Sequence, residues 1–505
     1  MDSSSSFITE LPLKTSSWGE AVLRKRFFAA KQQYNALLGE ALRRLKAMRS
    51  DNRFGEAVAL YKQSGKKLAA KEVFKAVAIA QGYREYDLYA YCKQWNTPGN
   101  CLSIGSRISQ QLAKRAFRAV EAWRQGLRGK PRFKGYRGLQ SIEDNSIDAN
   151  LRLKGTTLHY LGLQLPLLYD EQDPIHYHGM NAKIKYVRLV RRTFNRRPRY
   201  FAQLVCAGKP WVKSHHTPQA GVVGLDIGPQ TIAIVSAEKQ VASLQVFADA
   251  LRDHRKEKAS LQRKLSRQLR ANNPSSFSED RWEKKDKHWR KKQGKVIRGK
   301  RLVKRSNALR TTSSKLADLH RREAAYRKTQ HGRLVNQILQ IGSSIKTEKL
   351  SYRSFQKRYG KSVGMRAPGM FVERLTRKAE NAGGQLEQIN TWKTKLSQSC
   401  HCGQVQKKPL SERWHRCSCG VVAQRDLYSA YLACYVEEDV LMADEAQTAW
   451  SGMDIALRTA MGQIKQPISG PMPASLGLSA GQRLSCAMYP KLSQGPEVLA
   501  PRERR

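Results

Sequence analysis

The sequence has few acidic residues for its length and no long apolar run. Of its 505 residues, 41 are Asp or Glu against 92 that are Lys or Arg, which gives a formal net charge of +51. No apolar stretch reaches the roughly 18 residues that a membrane-spanning helix needs. The opening residues, MDSSSSFITELPLKTSS, lack the basic start and apolar centre of a signal peptide. We therefore expect a soluble, intracellular protein whose positive charge binds polyanions.

Several common functional motifs are also missing. The sequence contains no Walker phosphate loop and no pattern typical of a Ser/His/Asp or Cys/His nucleophile. No internal repeat of about 20 to 50 residues is visible, so a solenoid is not expected. Five of the nine cysteines are scattered and are interpreted as ordinary thiols. These are Cys92, Cys101, Cys206, Cys434 and Cys486.

One aspartate stands in an unusually apolar setting. Asp226 lies in GVVGLDIGPQTIAIVS, which predicts a buried strand, a tight Gly-Pro turn and a second strand. An ionised carboxylate in such a run costs about 2–7 kcal/mol unless a cation or hydrogen bonds compensate for its burial. Gly228 leaves space for the close approach of a nucleic-acid backbone. A bound divalent metal is the explanation that we favour.

Two further acids are predicted to meet Asp226. Glu348 lies between two lysines on the short strand predicted for IKTEKLSY. Asp426 opens a predicted helix whose Ser429 and Ala430 share its face, and this small face can press against a sheet. Each acid alone has an ordinary explanation: a turn or cap aspartate, a surface glutamate and an N-cap. Together, two strands and a helix can bring the three carboxylates to one point.

Three convergent carboxylates are typical of a two-metal phosphodiesterase site. Carboxylate oxygens are hard ligands that suit Mg²⁺ better than nitrogen or sulfur does. We expect two Mg²⁺ ions about 3.5–4 Å apart, one activating water and one stabilising the leaving 3′ oxygen. Asp226 is the best candidate for bridging both ions, and Glu348 and Asp426 complete the ligand set.

The other four cysteines form two close pairs. Cys400 and Cys402 are followed by Gly403, and Cys417 and Cys419 by Gly420, with fourteen residues between the pairs. In an intracellular protein this spacing predicts one structural Zn²⁺ held by four thiolates. Two alternatives stay open. In the first, His401 or His415 replaces one thiol; in the second, the segment is a degenerate, metal-free knuckle.

Basic residues interleaved with aromatic ones occur in three places. They lie on a predicted helix (SRISQQLAKRAFRAVEAWRQGL), in a glycine-rich loop (GKPRFKGYRGLQS) and in the tract 281–305, which holds thirteen Lys or Arg against two acids. Solvated helix faces and a disordered tract are the simpler explanations. We favour contacts to bases and phosphates. The predicted nucleic-acid contacts are Lys114, Arg118, Lys130, Arg132, Lys134, Arg137, Trp282, Trp289 and Arg290.

With these residues identified, the sequence resembles the TnpB proteins encoded by bacterial insertion sequences, which are related to compact type V CRISPR effector nucleases. The resemblance runs from about residue 130 to about residue 435 and is carried by Asp226, Glu348 and Asp426 in their local contexts. It implies a RuvC-type RNase H fold split into three segments, a guide RNA derived from the transposon end, and a target DNA. The Cys-x-Cys pairs depart from the Cys-x-x-Cys pairs usual in that family.

The predicted fold class is α/β and multidomain, and the domain boundaries combine residue patterns with the resemblance. After residue 436 the chain becomes acidic and then rich in Gly, Pro and Ser, which is typical of a flexible tail. The predicted order is a first wedge strand (1–17), a helical recognition lobe (18–128), a β-barrel wedge domain (129–216), RuvC segments I and II with a basic helical insertion (217–395), a zinc-ribbon-like target-nucleic-acid-binding insertion (396–422), RuvC segment III (423–436) and a flexible tail (437–505).

The resulting functional hypothesis is an RNA-guided, Mg²⁺-dependent DNA endonuclease encoded by a transposon. We expect it in the bacterial cytoplasm, associated with the nucleoid, as a monomer bound to RNA. Three alternatives remain. They are a nuclease-inactive RNA-guided repressor, which the complete set of acids disfavours, a DNA-strand transposase of RNase H fold, and a general RNA chaperone.

Overall fold

The chain divides into two units in the computed structural model, Met1–Trp211 and Val212–Arg505. The structure describes residues 5–97, 99–135, 138–146, 149–248, 254–285, 288–300, 302, 304–409, 411–464 and 476. Arg137, one of the predicted nucleic-acid contacts, lies outside the described residues, as does most of the predicted tail.

The first unit combines helices with two antiparallel sheets, in the strand orders β1-β7-β6-β2 and β3-β4-β5. Its helices are α1 (Ser17–Ser50), α2 (Asn52–Lys62), α3 (Lys67–Ala80), α4 (Glu85–Cys92), α5 (Ser106–Arg124) and α6 (Pro174–Asn181). Its strands are β1 (Ser6–Pro12), β2 (Ser141–Glu143), β3 (Leu151–Lys154), β4 (Thr157–Tyr160), β5 (Leu163–Pro166), β6 (Ile184–Phe194) and β7 (Arg197–Ala207).

Local sequence explains where these elements begin and turn. The Ser16 side chain caps α1 by accepting a hydrogen bond of 3.0 Å from the Gly19 N–H. Strands β6 and β7 are joined by Asn195 and Arg196, both with positive φ, as a two-residue hairpin turn requires. Apolar side chains of α1 and α5 pack with the strands into one core that contains Tyr160.

The second unit contains the segments that carry all three predicted acids. Its strands are β8 (Val222–Ile227), β9 (Thr231–Ser236), β10 (Val241–Val246), β11 (Arg281–Lys285), β12 (His288–Lys292), β13 (Ser344–Glu348), β14 (Gln385–Ile389), β15 (Trp414–Arg416), β16 (Val422–Gln424), β17 (Val436–Glu437) and β18 (Val440–Leu441). Its helices are α7 (Arg255–Asn272), α8 (Asn307–Ile341), α9 (Tyr352–Arg366), α10 (Pro368–Asn381), α11 (Thr391–Thr394), α12 (Arg425–Cys434), α13 (Ala443–Thr448) and α14 (Trp450–Gly462).

A mixed five-stranded sheet with the order β10-β9-β8-β13-β14 forms the centre of the second unit. Strands β10, β9 and β8 are antiparallel neighbours, whereas β13 runs parallel to both β8 and β14. Apolar side chains cover both faces of the sheet. One face packs with residues of α8 and α10, and the other with residues of α12 and α14. The neighbouring strands β8 and β13 are therefore covered on both faces.

The basic insertion between α7 and α8 was predicted to be helical, but part of it is extended. Strands β11 and β12 form an antiparallel hairpin in its centre. Trp282 and Trp289, one on each strand, favour extended backbone, and each pairs with a lysine of the partner strand. Abundant lysine alone was a poor guide to helix in this tract.

Part of the predicted flexible tail is folded. Helix α14 packs against the sheet through Met453, Leu457 and Ala460, which recur at helical spacing and are buried. The acidic residues before it mark the start of α13 rather than disorder, because acidic side chains favour the first turn of a helix.

No helix within the described ranges is long and apolar enough to cross a bilayer.

Candidate metal-binding sites

Two of the predicted acids lie on neighbouring parallel strands. Thr347 of β13 pairs with Leu225 of β8, so Glu348 and Asp226 are the next residues along the two strands. Side chains alternate between the faces of a sheet. Because Leu225 packs on the α8 side, Asp226 points to the opposite face, toward α12. The hydroxyl of Thr347 donates a hydrogen bond of 3.0 Å to the Leu225 carbonyl, which fixes the register beside the two carboxylates.

Helix α12 brings the third acid to the same place. A Cβ atom built on Gly224 would lie 1.9 Å from the carbonyl oxygen of Ala430, so only glycine permits this close contact between helix and strand. Asp226 follows Gly224 by two residues on the same strand face, and Asp426 precedes Ala430 by one helical turn. The close packing therefore directs Asp426 toward Asp226. The Gln424 side chain caps the helix by accepting a hydrogen bond of 2.8 Å from the Leu427 N–H.

Burial raises the pKa of all three carboxyls, and the other two acids act on Asp226. Burial raises the pKa of Asp226 well above its usual value, and the negative charges of Asp426 and Glu348 raise it further. Burial also raises the pKa of Glu348, to about 7, against a hydrogen bond from the Leu396 N–H. The pKa of Asp426 is likewise raised by burial. The cost of holding several buried negative charges together opposes ionisation at this edge of the sheet.

Sequence reasoning missed two arginines at this site. Arg413 Nη1 and Arg425 Nε each lie 3.8 Å from Asp426 Oδ1, and both act against the rise in its pKa. The Arg425 N–H donates a hydrogen bond of 2.8 Å to the Arg413 carbonyl, so the two residues are held side by side. A single arginine in a basic chain carries no pattern, and only the contact with Asp426 identifies it.

This donor set fits divalent metal ions. The negative charges of Asp426 and Glu348 act on Asp226 at this edge of the sheet, and the cations that oppose them include Arg425 and Arg413. Among the described residues, these two arginines do not balance the charge of the three carboxylates when all three are ionised. Carboxylate oxygens are also the ligands that Mg²⁺ prefers. Bound divalent cations would lower the pKa of all three acids and remove the electrostatic cost.

The four clustered cysteines converge as predicted. One ligand atom from each lies within 4.8 Å of every other. The Sγ atoms of Cys400 and Cys419 are 3.6 Å apart, and those of Cys402 and Cys417 are 3.5 Å apart. Four thiolates around a zinc ion at about 2.3 Å require sulfur separations of this size. The four-cysteine cluster can therefore hold zinc.

The two Cys-x-Cys pairs have the same backbone conformation. In each, the N–H of the following glycine donates to the carbonyl of the first cysteine at 3.1 Å, and both glycines have positive φ. The N–H of Cys400 donates to the Gln404 carbonyl at 2.8 Å, and that of Cys417 to the Val421 carbonyl at 3.0 Å. Burial disfavours ionisation of Cys417, but hydrogen bonds led by the Cys419 N–H lower its pKa to about 7.

The two histidines considered as alternative ligands have other partners. His401 Nδ1 lies 3.0 Å from the Tyr428 hydroxyl, and His415 Nδ1 lies 2.7 Å from Lys408 Nζ. Tyr428 belongs to α12, and its hydroxyl also lies 3.3 Å from Cys400 Sγ. The cysteine cluster is thus joined to the helix that carries Asp426. These contacts favour four cysteine ligands over a mixed Cys/His set.

The predicted nucleic-acid contacts of the first unit are spread over its surface. Lys114 and Arg118 lie on α5 with charged ends 3.8 and 3.9 Å from Glu85. The loop after α5 is anchored by the Lys134 N–H, which donates a hydrogen bond of 2.7 Å to Asn35 Oδ1. Lys130 Nζ lies over the Trp123 ring, and Arg132 is exposed.

The predicted contacts of the hairpin do not share one face. Trp282 pairs with Lys291, and Trp289 with Lys284, so the two indoles and two lysines lie on the same side. The indoles are 63% and 66% exposed. Arg290 pairs with Glu283 on the opposite side. The hairpin therefore has one face suited to stacking and another that is charged.

The family comparison matches one segment of the second unit. Residues 369–432 match the model described as Cas12f1-like, TNB domain. The segment contains the four clustered cysteines and Asp426, whereas Asp226 and Glu348 lie before it. The match supports a relation to compact Cas12-like nucleases over this segment. It does not separate the TnpB proteins from the Cas12f1 proteins.

Solved structures give a distant likeness. The protein of the "Cryo-EM structure of the Cas12f1-sgRNA-target DNA complex" is 10% identical with a TM-score of 0.40, over 85% of this chain and 98% of that chain. For the "Cryo-EM structure of CRISPR-Cas12f Ternary Complex" the identity is 11%, the TM-score 0.26, and the coverage 81% of each chain. A search of curated proteins gives no match. The proposals below therefore rest on this chain's own residues and on the matched segment.

Proposed function

We propose that this protein is an RNA-guided DNA endonuclease of the TnpB type, encoded by a transposon. The observation that carries the proposal is the convergence of Asp226, Glu348 and Asp426 at one edge of the central sheet, where burial and the charges of Asp426 and Glu348 raise the pKa of Asp226. Structural roles do not require three acids at one buried point, because each adds a desolvation cost that the fold must offset.

The topology of the second unit supports a split RuvC-type RNase H fold. Three antiparallel strands are followed in space by two parallel strands, and the acids come from the neighbouring strands β8 and β13 and from helix α12 packed on the sheet. The three segments are separated in the chain by the α7–α8 insertion and by the segment with the cysteine cluster. In this proposal the first unit supplies the helical recognition lobe and the wedge domain.

In the proposed site, Asp226, Glu348 and Asp426 would hold two Mg²⁺ ions through their carboxylate oxygens. The chemistry that bound Mg²⁺ supplies is activation of a water molecule and stabilisation of the leaving 3′ oxygen. The residues of this chain position these groups. Gly224 sets the distance between helix and strand, and the positive charges of Arg413 and Arg425 oppose the rise that burial causes in the pKa of Asp426.

The cysteine cluster is proposed to hold one structural zinc through Cys400, Cys402, Cys417 and Cys419. The segment between the pairs has few buried apolar residues, so metal binding would supply much of its folding free energy. Its link through Tyr428 to α12 suits a module that supports the acidic site and contacts the target strand.

The net charge of +51 is proposed to hold a guide RNA and the target DNA. Contacts are assigned to Lys114, Arg118, Lys130, Arg132, Lys134, Arg137 and to the hairpin. Sequence choice is delegated to base pairing, so the protein binds one RNA scaffold by shape. In this proposal the complex is a monomer with its RNA in the bacterial cytoplasm, at the nucleoid.

The decisive experiment purifies the protein with its RNA and sequences that RNA. We expect one dominant species whose variable end dictates which DNA is cut in the presence of Mg²⁺. A matched set of variants would be assayed on the same DNA. Asp226→Ala should not cut, whereas Asp454→Ala, which removes an acid paired with Arg458 on α14, should cut normally. A heterogeneous RNA pool with cleavage indifferent to the variable end would contradict the guided function.

A further inference from the structure

An exposed tryptophan just after β14, the strand that pairs with the Glu348 strand, has no role in the mechanism above. Trp392 is 86% exposed, the largest exposed fraction among the large apolar side chains of the described residues. Single exposed apolar side chains are common, and exposure alone assigns no function. The position of this side chain makes the difference.

The chain on both sides of Trp392 is attached to Glu348. Ile389, the last residue of β14, pairs with Glu348, and its carbonyl accepts a hydrogen bond of 2.8 Å from the Lys349 N–H. Seven residues later the Leu396 N–H donates to the Glu348 carboxyl. Trp392 lies between these two points, three residues after Ile389. An extended chain spans about 3.3–3.6 Å per residue, which limits the distance between the Cα atoms of Trp392 and Ile389 to about 11 Å.

The backbone that carries this indole is well held. The Trp392 N–H donates a hydrogen bond of 3.0 Å to Asn390 Oδ1, and the Asn390 N–H donates one of 2.7 Å to Asp439 Oδ1. Thr394 is buried, and its hydroxyl donates to the Asn390 carbonyl at 3.2 Å. The ring is therefore exposed on a fixed turn, so little ordering would be needed when a ligand binds.

The charges around the ring suit a nucleic acid. Lys393 and Lys395, which follow Trp392 within and just after α11, are exposed, and Lys393 Nζ lies 3.5 Å from Asp439 Oδ2. An indole with nearby ammonium groups can bind a base by its face and the backbone by its phosphates. In a duplex the faces of a base are covered by its neighbours. The matching ligand is therefore an unpaired strand.

We propose that Trp392 stacks on an unpaired base of the strand being cut, within a few nucleotides of the phosphodiester at the three acids. Trp392 is then a substrate-positioning residue. This proposal rests on the proposed function, because it needs a strand at the acidic site.

The test measures single-turnover cleavage by the protein with its copurified RNA. Stacking contributes about 1–3 kcal/mol per base, so Trp392→Ala should slow cleavage at least fivefold, and Trp392→Phe should recover most of the rate. Abasic sites are then placed one by one near the cut. At one position the abasic site should slow the wild type as much as Trp392→Ala does, with no further loss in the variant. Additive losses at every position would overturn the proposal.

A binding experiment separates this proposal from the proposed function. If the wild type does not cut DNA, the nuclease function fails, but stacking can still be measured on Asp226→Ala protein with a single-stranded DNA oligonucleotide. Adding Trp392→Ala should then weaken binding about fivefold. Ile455→Ala, an equally simple loss of an apolar side chain that is 66% exposed on α14, should leave binding unchanged. Equal affinities with and without Trp392 would overturn the proposal, and matching thermal unfolding curves would show that all variants fold.

Discussion

The acidic edge of the central sheet, where Asp226, Glu348 and Asp426 lie, and the β11–β12 hairpin differ in where their charged side chains are placed. At the acidic edge, three carboxylates from distant segments meet in a largely buried place, and the side chain of Asp426 is only 14% exposed. At the hairpin, basic and aromatic side chains lie in the open on two short strands of adjacent sequence. Buried like charges are costly, whereas exposed charges are screened and nearly free.

This difference predicts how each region tolerates substitution. At the acidic edge, the cost of burying three like charges is large, and the metal ions proposed to offset it need all three carboxylates. A single change there should therefore remove function. The hairpin is one part of a field set by a net charge of +51, so a single change should alter affinity only modestly. The experiments below test that contrast.

The largest expected effect is at Asp226. Loss of this ligand by Asp226→Ala should reduce Mg²⁺-dependent cleavage by more than about a thousandfold, because metal ions contribute several kcal/mol to the transition state. Affinity for nucleic acid should stay nearly unchanged, because one acid barely alters the overall charge. Cleavage rates and affinities would be measured on the same preparation. Persistent cutting by this variant would show that the three acids are not the active site.

The cysteine cluster gives the next largest effect. Elemental analysis should find about one zinc per chain, and Cys417→Ser with Cys419→Ser should remove it together with thermal stability. Cys101→Ser, which changes an exposed thiol in the first unit, is the control and should keep the zinc. Retention of zinc in His401→Ala and His415→Ala would confirm four cysteine ligands. A wild type that is equally stable without metal would instead support the alternative of a degenerate, metal-free knuckle.

A buried histidine should make the second unit less stable in acid. Burial lowers the pKa of His331 to about 4, and its ring stacks on Phe247. In the unfolded chain its pKa is near 6.5, so the unfolded state binds more protons between about pH 6.5 and 4. The contribution of His331 to the free energy of unfolding should be fully present above about pH 6.5. The free energy of unfolding should fall by about 2 kcal/mol between pH 7 and pH 5.

Chemical unfolding at several pH values would measure this slope for the wild type and for His331→Gln, whose side chain does not titrate. The variant is expected to be less stable at neutral pH, because it loses the stacked ring, but to show a flatter pH profile. Identical slopes for the two proteins would mean that His331 does not cause the acid sensitivity.

The hairpin should give the smallest effect and the sharpest internal control. Replacing either Trp282 or Trp289 by Ala should weaken binding of single-stranded DNA about fivefold, at the lower end of the stacking range, with little change in salt dependence. Replacing Arg290 on the opposite face should instead reduce the salt slope by about one. Affinities measured across a salt series separate the two faces. Loss of cleavage as complete as that of Asp226→Ala would break the comparison with the acidic edge.

The sequence was most informative about residues whose chemistry is unusual for their surroundings or spacing. Asp226 could be identified because a carboxylate in an apolar strand requires an explanation, and the cysteine pairs because thiols at such spacing bind metal. Arg413 could not be identified, because arginine is too common in this chain and its contact with Asp426 depends on the folded backbone. The roles of the three acids and of the basic residues stay predictions until they are tested.

Elements with weak patterns were harder to predict. The basic insertion was expected to be helical, yet strands β11 and β12 form there, because cross-strand pairing overrides the helix preference of lysine. Helix α14 was hidden in a segment taken as a flexible tail, since its apolar stripe is short and follows an acidic stretch. The first error arose where pairing between strands decides the conformation, and the second where packing against the sheet does.

The positions of the three acids along the chain also affect how the protein is made. The first unit ends at Trp211, whereas the site is complete only after Asp426 has been synthesised, 426 − 211 = 215 residues later. At about 5–20 residues per second, a ribosome needs roughly 10 to 40 s for that distance. During that interval the chain has no complete set of acids. If the first unit binds RNA as proposed, the nascent chain can do so before it is able to cut DNA.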